Sequence, residues 1–274
     1  MKMRISNRFI IAFISIYLVL PIVFTFLYSL FAEWNAVLPK GLTFKYYVQV
    51  LSSPIFLMAL VRTVIMAVLP ILLCIVIILL AMYVVIVYLP KLDPIIQILC
   101  TIPYALQGVI IAISVLSLYA DAPDPLSNRL LMLTGTYCIL ILPYMYQGIR
   151  NSLHAANARG LLEAAQILGA GRLYSFFAVV VPNILSGVTI SALLSAAIIF
   201  GDFVVVNIIG GNYYVTAQIF LYKSMFQSGQ LTSAISIVLF TVTLLLAAGV
   251  WAMQDKAGKQ KTMNDTRIHK KNIQ

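Results

Sequence analysis

Long apolar runs, separated by short polar breaks, are the feature that most restricts what this 274-residue chain can fold into. Lipid offers no hydrogen-bond partners to the backbone, so only helices and closed β-barrels cross a bilayer, and a spanning helix needs about 20 apolar residues. The runs lack the alternating pattern of barrel strands. We therefore predict an all-α, polytopic membrane protein with six transmembrane helices, at about residues 9–31, 64–88, 95–118, 130–149, 183–206 and 232–253.

The low proportion of charged residues limits the mass that lies outside the membrane. Charged residues make up 9% of the chain, against about 25% in soluble domains. We expect a short cytoplasmic N-terminus at residues 1–8, one membrane domain at residues 9–253, and a disordered basic tail at residues 254–274. The first apolar run is too long for the apolar core of a signal peptide, so we interpret it as an uncleaved first span.

The net charge is +10, and the basic residues lie mainly in the segments on one side of the predicted spans. With six spans and both termini in the cytoplasm, 13 of the 18 basic residues fall on the cytoplasmic side and five on the opposite side. This bias is the positive-inside pattern of membrane proteins, and we prefer it to nucleic-acid or lipid-specific binding. The long polar break at residues 150–182 is therefore predicted to face the cytoplasm.

No combination of residues predicts catalysis or metal binding by the chain itself. The phosphate-binding pattern G-x-x-x-x-G-K-[ST] is absent from the sequence, and the two histidines, His154 and His269, are isolated. The cysteines fall inside apolar runs, at spacings that fit neither a disulfide framework nor a metal site. They are Cys74, Cys100 and Cys138. We therefore predict that the chain is not an enzyme and holds no cofactor.

The break at residues 150–182 is longer than a connection between two spans needs to be. Within it, residues 161–168 have apolar side chains at three- and four-residue spacing, which predicts a short helix that Gly169 ends. If Gly160 is the N-cap of this helix, Glu163 occupies the third helical position and can accept a hydrogen bond from the Gly160 amide. A helix-capping role and a partner-docking role for Glu163 both stay open.

The same break carries a spaced motif: E-A-A, three residues, a glycine, nine residues, and an aliphatic-x-aliphatic-proline end. It resembles the cytoplasmic loop signature of the permease subunits of binding-protein-dependent ABC importers. Valine stands at the two aliphatic positions, where isoleucine and leucine are usual. The matching residues are Glu163, Ala164, Ala165, Gly169, Val179, Val181 and Pro182. The six-span plan resembles the same family over nearly the whole chain.

This resemblance implies the type I importer fold and a division of labour between subunits in a bacterial cell membrane. The loop is then a coupling helix that docks in a cleft of a separate ATP-binding subunit, which acts as a dimer and binds the ATP and Mg²⁺. A second permease subunit, identical or homologous, and an extracytoplasmic solute-binding protein complete the expected assembly. By resemblance, Glu163, Ala164 and Ala165 form the docking face. Gly169 then makes the turn, and Pro182 marks re-entry into the membrane.

Asp202 is an acidic residue in the apolar stretch that we predict as the fifth span. A carboxylate is costly inside a bilayer, so Asp202 either lines the path of a cationic substrate or, if the span ends early, lies at the outer interface. The surrounding sequence, FGDFVVVNIIGG, resembles the corresponding part of permeases for polyamines, iron(III) and 2-aminoethylphosphonate. This resemblance implies a polyamine or 2-aminoethylphosphonate as the substrate.

Two other classes of membrane protein fit the sequence less well. An ion-coupled secondary transporter with no ATPase partner predicts intramembrane acids and inverted repeats, and the sequence shows one candidate acid and no evident repeat. A membrane enzyme predicts polar catalytic residues near one interface, and none assembles. The permease subunit of an ATP-driven importer, translocating a small solute, is therefore the function that the sequence favours.

Overall fold

The computed structural model describes residues 5–34 and 39–271, with side chains described from residue 10 onward except at residues 12, 250, 251 and 253–271. The chain divides into two compact units. One consists of Met1–Val61 with Thr216–Val242, and the other of Arg62–Val215 with Thr243–Gln274. Helices make up most of each unit, which agrees with the predicted all-α class.

The helices follow one another with few extended residues between them. The elements are α1 (Ile5–Ser29), β1 (Phe31–Glu33), β2 (Lys40–Leu42), α2 (Lys45–Leu51), α3 (Pro54–Val87), α4 (Asp93–Thr101), α5 (Gly108–Tyr119), α6 (Arg129–Ala155), α7 (Ala158–Ile167), α8 (Arg172–Tyr174), α9 (Val181–Gly201), α10 (Val204–Ile209), α11 (Ala217–Ser224) and α12 (Gly229–Lys271). Two 3₁₀ turns, Pro90–Leu92 and Ile102–Ala105, flank α4. A π-helical segment, Ser175–Val180, joins α8 to α9.

Within the described residues, four continuous helices are long and apolar enough to cross a membrane, and each overlaps a predicted span. They are Pro54–Val87, Arg129–Ala155, Arg172–Gly201 and Gly229–Gly249. The predicted first span corresponds to α1, in which Phe13–Ser29 forms a shorter apolar helix. A helical membrane protein is therefore confirmed. The predicted six spans are matched by four continuous helices, or by five if a bent pair of helices counts as one span.

The bent pair occupies the position of the predicted third span, residues 95–118. Pro90–Ala105 and Gly108–Tyr119 meet at an angle of 97°. Pro103 has no amide hydrogen to continue an α-helical ladder, and the chain tightens there into a 3₁₀ turn before it becomes extended at Leu106. The single span predicted over residues 95–118 is therefore interrupted, and the change of direction was not predicted.

Helices α6 and α9 pack closely along a seam of small residues, which we call the α6–α9 seam. A Cβ built on Gly148 would overlap Ser191 Oγ. In the same way, a Cβ on Gly187 would overlap Ser152 Oγ. Each serine hydroxyl donates to the carbonyl four residues earlier on its own helix, at 2.7 Å for Ser152 and 2.9 Å for Ser191. Small residues four apart on each helix thus let the two backbones approach closely.

The unit that contains the N-terminal helix also holds a two-stranded hairpin, which is a small departure from the all-α prediction. Strands β1 and β2 pair antiparallel, with Phe31 opposite Leu42. Ser29 Oγ and Tyr47 Oη lie 2.6 Å apart and share a hydrogen bond that connects the end of α1 to α2. The polar connection after the first apolar run is therefore folded locally.

Helix α12 continues past the last predicted span as far as Lys271. The structure therefore differs from the predicted disordered tail at residues 254–274, of which residues 272–274 lie outside the described part of the chain. Disorder was predicted from the low content of apolar residues. However, Lys, Gln, Met and Ala in this segment favour helix, and no proline interrupts it.

Candidate functional site

Helix α7 begins directly after α6, at a residue with left-handed backbone conformation. Asn157 has φ 48° and ψ 55°, and its carbonyl accepts a hydrogen bond from the Leu161 amide at 3.1 Å. A Cβ on Gly160 would lie 2.6 Å from Asn157 Nδ2, so a glycine there gives the Asn157 side chain its room. The N-cap is Asn157, and the predicted N-cap at Gly160 is wrong because the helix starts three residues earlier.

Glu163 lies in the middle of α7 and not in its first turn. Ala158 is the first helical residue, which puts Glu163 too far along the helix to close a capping box with the N-cap amide. Its side chain is exposed and makes no hydrogen bond or ion pair with the described residues. The capping account of Glu163 is thereby removed, and the docking account is the one that stays open.

The two faces of α7 differ in burial. Leu162 is 4% exposed and Ala165 is 9% exposed, and α7 packs against the π-helical segment Ser175–Val180. Glu163 and Ala164 lie on the exposed side of the helix. Of the three residues of the predicted docking face, Glu163 and Ala164 are exposed, whereas the helical phase turns Ala165 toward the protein. Docking by these residues stays a prediction.

Two large apolar side chains extend the exposed side of α7 toward its C-terminal end. Ile167 is 86% exposed and Leu168 is 88% exposed. They follow Glu163 and Ala164 by four residues and so lie on the same side of the helix. We call these four residues the α7 face. Ile167 and Leu168 were not among the predicted site residues, although their four-residue spacing from the E-A-A motif was a usable signal.

Gly169 ends α7, as the sequence predicts. Its φ of +88° falls in the left-handed region that favours glycine. The Gly169 amide donates to the Gln166 carbonyl at 2.9 Å, and the Ala170 amide donates to the Ala165 carbonyl at 3.1 Å. This pair of bonds is a Schellman motif, which satisfies carbonyls at the helix end. Nothing lies within 4 Å of a Cβ built on Gly169, so the conformation and not the space selects glycine.

Pro182 lies inside a continuous helix and not at its start. This helix is Arg172–Gly201, so it begins and ends earlier than the predicted fifth span at residues 183–206. The π-helical segment Ser175–Val180 ends two residues before Pro182, which is the second residue of α9, where a missing amide hydrogen is tolerated. The Asn183 side-chain amide also donates to a carbonyl one turn earlier, at 2.8 Å. The structure therefore places the predicted re-entry point ten residues into the helix.

Comparison with known proteins assigns the chain to a family. The sequence model of the family described as "binding-protein-dependent transport system inner membrane component" matches residues 75–256, which include all of α7. The chain belongs to this family. It is therefore a transport component of the inner membrane and not an enzyme, and the resemblance to importer permeases is confirmed at the level of the family.

A curated relative of this permease is the molybdenum transport system permease protein ModB of Azotobacter vinelandii. The two sequences are 37% identical over 112 residues. The match covers 39% of the permease and 49% of ModB, so the chain spans about half the length of the curated relative that it matches. The finer resemblance to polyamine and 2-aminoethylphosphonate permeases receives no support from this relative.

Asp202 of the permease directly follows the end of α9 and has structural partners. Its carboxylate accepts a hydrogen bond from Tyr137 Oη and one from the Val205 amide, each at 3.0 Å. Tyr137 is 1% exposed, and Val205 lies in the first turn of α10. The span ends at Gly201, one residue before Asp202, which favours the alternative in which the span ends early. A place for Asp202 on a translocation path stays a prediction.

Asp202 and the α7 face are far apart in the permease. The helix Arg172–Gly201 has 30 residues and is about 45 Å long, at 1.5 Å per residue. Asp202 follows its C-terminal end, whereas α7 packs against the π-helical segment near its N-terminal end. The structure therefore brings Glu163, Ala164 and Gly169 together and leaves Asp202 outside this site.

An ion pair that the sequence analysis did not predict lies near the start of α7. Arg150 Nε donates to Asp93 Oδ1 at 3.0 Å, and Arg150 Nη2 donates to Asp93 Oδ2 at 2.6 Å. Tyr146 Oη, one turn earlier on α6, donates to the same carboxylate at 3.4 Å. Because 57 residues separate the two charged residues, no local sequence pattern could reveal the pair.

A cavity of about 310 Å³ lies beside this ion pair. Its lining comes from the end of α3, from Asp93, and from the junction of α6 and α7, where His154 and Arg159 contribute. Among the described residues, no three side chains of His, Cys, Asp or Glu come close enough together to hold a metal ion. The cavity therefore separates α3 from the start of α7 without forming a metal site.

Proposed function

We propose that this chain is the transmembrane permease subunit of an ATP-driven importer and that its α7 face binds a separate ATP-binding subunit. The observation that carries the proposal is the exposure of Ile167 and Leu168 on a helix outside the spans. A cluster of exposed apolar side chains marks an interaction surface more often than it serves a monomer. Membership of a binding-protein-dependent transport family supports this reading.

The composition of the α7 face suits a groove on a partner. Ala164 is short enough to let another backbone approach, while Ile167 and Leu168 supply apolar side chains that a pocket can bury. Glu163 adds a carboxylate without an intramolecular partner among the described residues. The Schellman motif at Gly169 fixes the end of the helix, so the face is presented on a rigid element.

Movement of α7 would reach the spans by two connections. The helix packs against the π-helical segment at the start of the span Arg172–Gly201, and it continues from α6 through Asn157. The α6–α9 seam packs these two spans closely together. Closure of an ATP-binding dimer against α7 would therefore move α6 and α9 as a pair. In this proposal the partner subunits bind ATP and Mg²⁺, and the permease binds neither.

The proposed assembly also holds a second permease subunit and an extracytoplasmic solute-binding protein. The excess of basic residues supports a cytoplasmic position for both termini and for α7. Single cysteines introduced as Ala164→Cys and Asp121→Cys test the orientation with a membrane-impermeant thiol reagent. We expect Asp121→Cys to react in spheroplasts and Ala164→Cys to react only after the membrane is opened.

We infer that the substrate is a small oxyanion, and we prefer this to a polyamine or 2-aminoethylphosphonate. The curated relative described above is a molybdenum transport permease, and molybdenum(VI) is an oxyanion in neutral water. The sequence argument for a cationic substrate depended on Asp202, whose carboxylate is held by Tyr137 and Val205. Proteoliposomes that contain the complex and its binding protein should take up molybdate in preference to putrescine. The measurement is the ATP-dependent uptake of each radiolabelled solute.

Co-purification tests the docking proposal. The permease should retain an ATP-binding subunit in detergent, and Glu163→Lys should abolish this retention without loss of membrane insertion. Asp121→Lys is the matched control, because it reverses an exposed charge in the loop between α5 and α6. Solute uptake that persists when ATP is exhausted and an ion gradient is maintained would instead favour an ion-coupled secondary transporter.

A further inference from the structure

We propose that Asp93 and Arg150 form a positioning link that carries the movement of α7 to the bent third span. The inference rests on the proposed docking of an ATP-binding subunit on α7 and assigns the next step inside the permease. Its basis is where the ion pair lies, how it is made, and what surrounds it. Neither residue belongs to the α7 face.

The position of the pair joins two elements that are distant in sequence. Asp93 is the first residue of α4, which belongs to the half of the bent pair that precedes the 97° change of direction. Arg150 lies about two turns before Asn157, where α6 ends and α7 begins. A displacement of the start of α7 therefore moves the helix end that carries Arg150, and through it the first turn of α4.

The geometry of the pair makes the contact between α4 and α6 rigid. The Arg150 guanidinium presents two donors to the two oxygens of one carboxylate, at 3.0 and 2.6 Å. Such a two-point contact resists rotation as well as separation, which a single lysine-type contact does not. Tyr146 adds a third donor to Asp93 from the same face of α6. Within the described residues, this is the one ion pair between side chains.

The cavity beside the pair gives the link its importance. It separates the last turns of α3, including Met82 and Ile86, from the start of α7. Direct packing of α7 against α3 is therefore incomplete at this level of the unit. Asp93 and the start of α7 line the same cavity, so the first turn of α4 and α7 face each other across it. The Asp93–Arg150 pair is the polar contact that joins α4 to the end of α6 there.

The partial exposure of the pair predicts an effect on coupling and a small effect on folding. Both side chains are 23% exposed, so water screens part of their attraction, and loss of one charge should cost less free energy of unfolding than in a fully buried pair. Removing one charge should therefore leave a folded permease that still binds its ATP-binding subunit. What should fall is the stimulation of ATP hydrolysis by the binding protein, and molybdate uptake should fall with it.

The experiment compares charge-neutral and charge-exchanged variants of the whole complex. Asp93→Asn, Arg150→Gln and the exchange Asp93→Arg with Arg150→Asp are reconstituted with the ATP-binding subunit and the binding protein. Molybdate uptake and ATP hydrolysis, with and without the binding protein, are the two readouts. Lys91→Gln is the matched control, since it removes an exposed charge close to Asp93 that makes no ion pair among the described residues.

We expect the single variants to retain the ATP-binding subunit and to lose about tenfold in stimulation of ATP hydrolysis by the binding protein, a typical size for coupling between sites. The charge exchange should recover most of this loss, and Lys91→Gln should behave as the wild type. Arg150→Lys, which keeps the charge and loses the two-point contact, should be intermediate and serves where a neutral variant folds poorly.

Wild-type stimulation in both single variants would overturn the link. So would a charge exchange that folds and is no better than the single variants, because rescue is what a merely structural role does not predict. If the single variants lose the ATP-binding subunit, the pair maintains α7 itself and the link is also overturned. A wild-type permease that fails to bind any ATP-binding subunit would refute the proposed function, and the link would fail with it.

Discussion

The α7 face and the α6–α9 seam are built from opposite kinds of surface, although both belong to the same compact unit. In the seam, glycine and serine allow two backbones to approach closely, and each serine hydroxyl is satisfied on its own helix. On α7, two large aliphatic side chains are more than four-fifths exposed. The seam is buried within one chain, whereas the α7 face is exposed and is covered only in the proposed complex with the ATP-binding subunit.

This contrast assigns different tasks to the two regions. A seam of small residues tolerates little change of shape, so α6 and α9 respond to a force as one body. An exposed apolar face gains its stabilisation on binding, so its contribution depends on a partner and its concentration. Mutations in the seam should therefore change the permease by itself, and mutations in the α7 face should change only its complex.

The largest effect is expected in the seam. Gly148→Val should destabilise the isolated permease by about 3 kcal/mol, because the new side chain meets Ser191 across the closest approach of α6 and α9. Thermal denaturation in detergent, followed by size-exclusion chromatography, measures the loss. Gly135→Val is the matched control on the same helix, since nothing lies within 4 Å of its Cβ position. Equal melting temperatures for the two variants would contradict close packing of the seam.

The second effect should appear in the complex alone. Ile167→Ser combined with Leu168→Ser should weaken binding of the ATP-binding subunit by about 2 kcal/mol or more, roughly 30-fold in Kd, because two apolar side chains lose their burial. The melting temperature of the isolated permease should not change. Leu126→Ser, at an exposed leucine in the loop between α5 and α6, is the control for loss of apolar surface. An unchanged Kd would remove these two residues from the interface.

A smaller effect should follow from the end of α7. Gly169→Ala should cost about 1–2 kcal/mol, since alanine is strained at a φ of +88°. Hydrogen exchange at the α7 amides is the measurement, and we expect faster exchange in the last turn. Gly171→Ala provides the comparison, because Gly171 has φ −65° and equally open surroundings. Equal exchange rates at the α7 amides of the two variants would show that the left-handed turn at Gly169 does not stabilise the last turn of α7.

The smallest effect is expected from the conservative change Asp202→Asn, at the end of α9 that is far from the α7 face. Asp202→Asn keeps an oxygen acceptor for Tyr137 and Val205, so uptake and melting temperature should stay within about 0.5 kcal/mol of the wild type. Asp202→Ala should cost about 1–3 kcal/mol, because the buried Tyr137 hydroxyl loses its acceptor. Reduced uptake by Asp202→Asn at an unchanged melting temperature would put Asp202 on the translocation path.

Features that depend on local sequence were predictable. Apolar length located four continuous spans, and the spaced E-A-A motif located α7 and its glycine end. Features that depend on three-dimensional direction were not. The left-handed Asn157 displaced the helix start by three residues, and the burial of Ala165 depends on how α7 packs against the π-helical segment. The Asp93–Arg150 pair joins residues too distant in sequence for any periodicity to connect them.

The π-helical segment Ser175–Val180 has a consequence for how this helix is compared with its relatives. A π-helical turn holds about one residue more than an α-helical turn, so residues before and after it are out of phase by about 100°. A relative that lacked one residue here would keep an unbroken helix and rotate Leu173 and Tyr174 to another side. An alignment gap inside an otherwise regular membrane helix would then record a change in which side chains this end of the helix exposes.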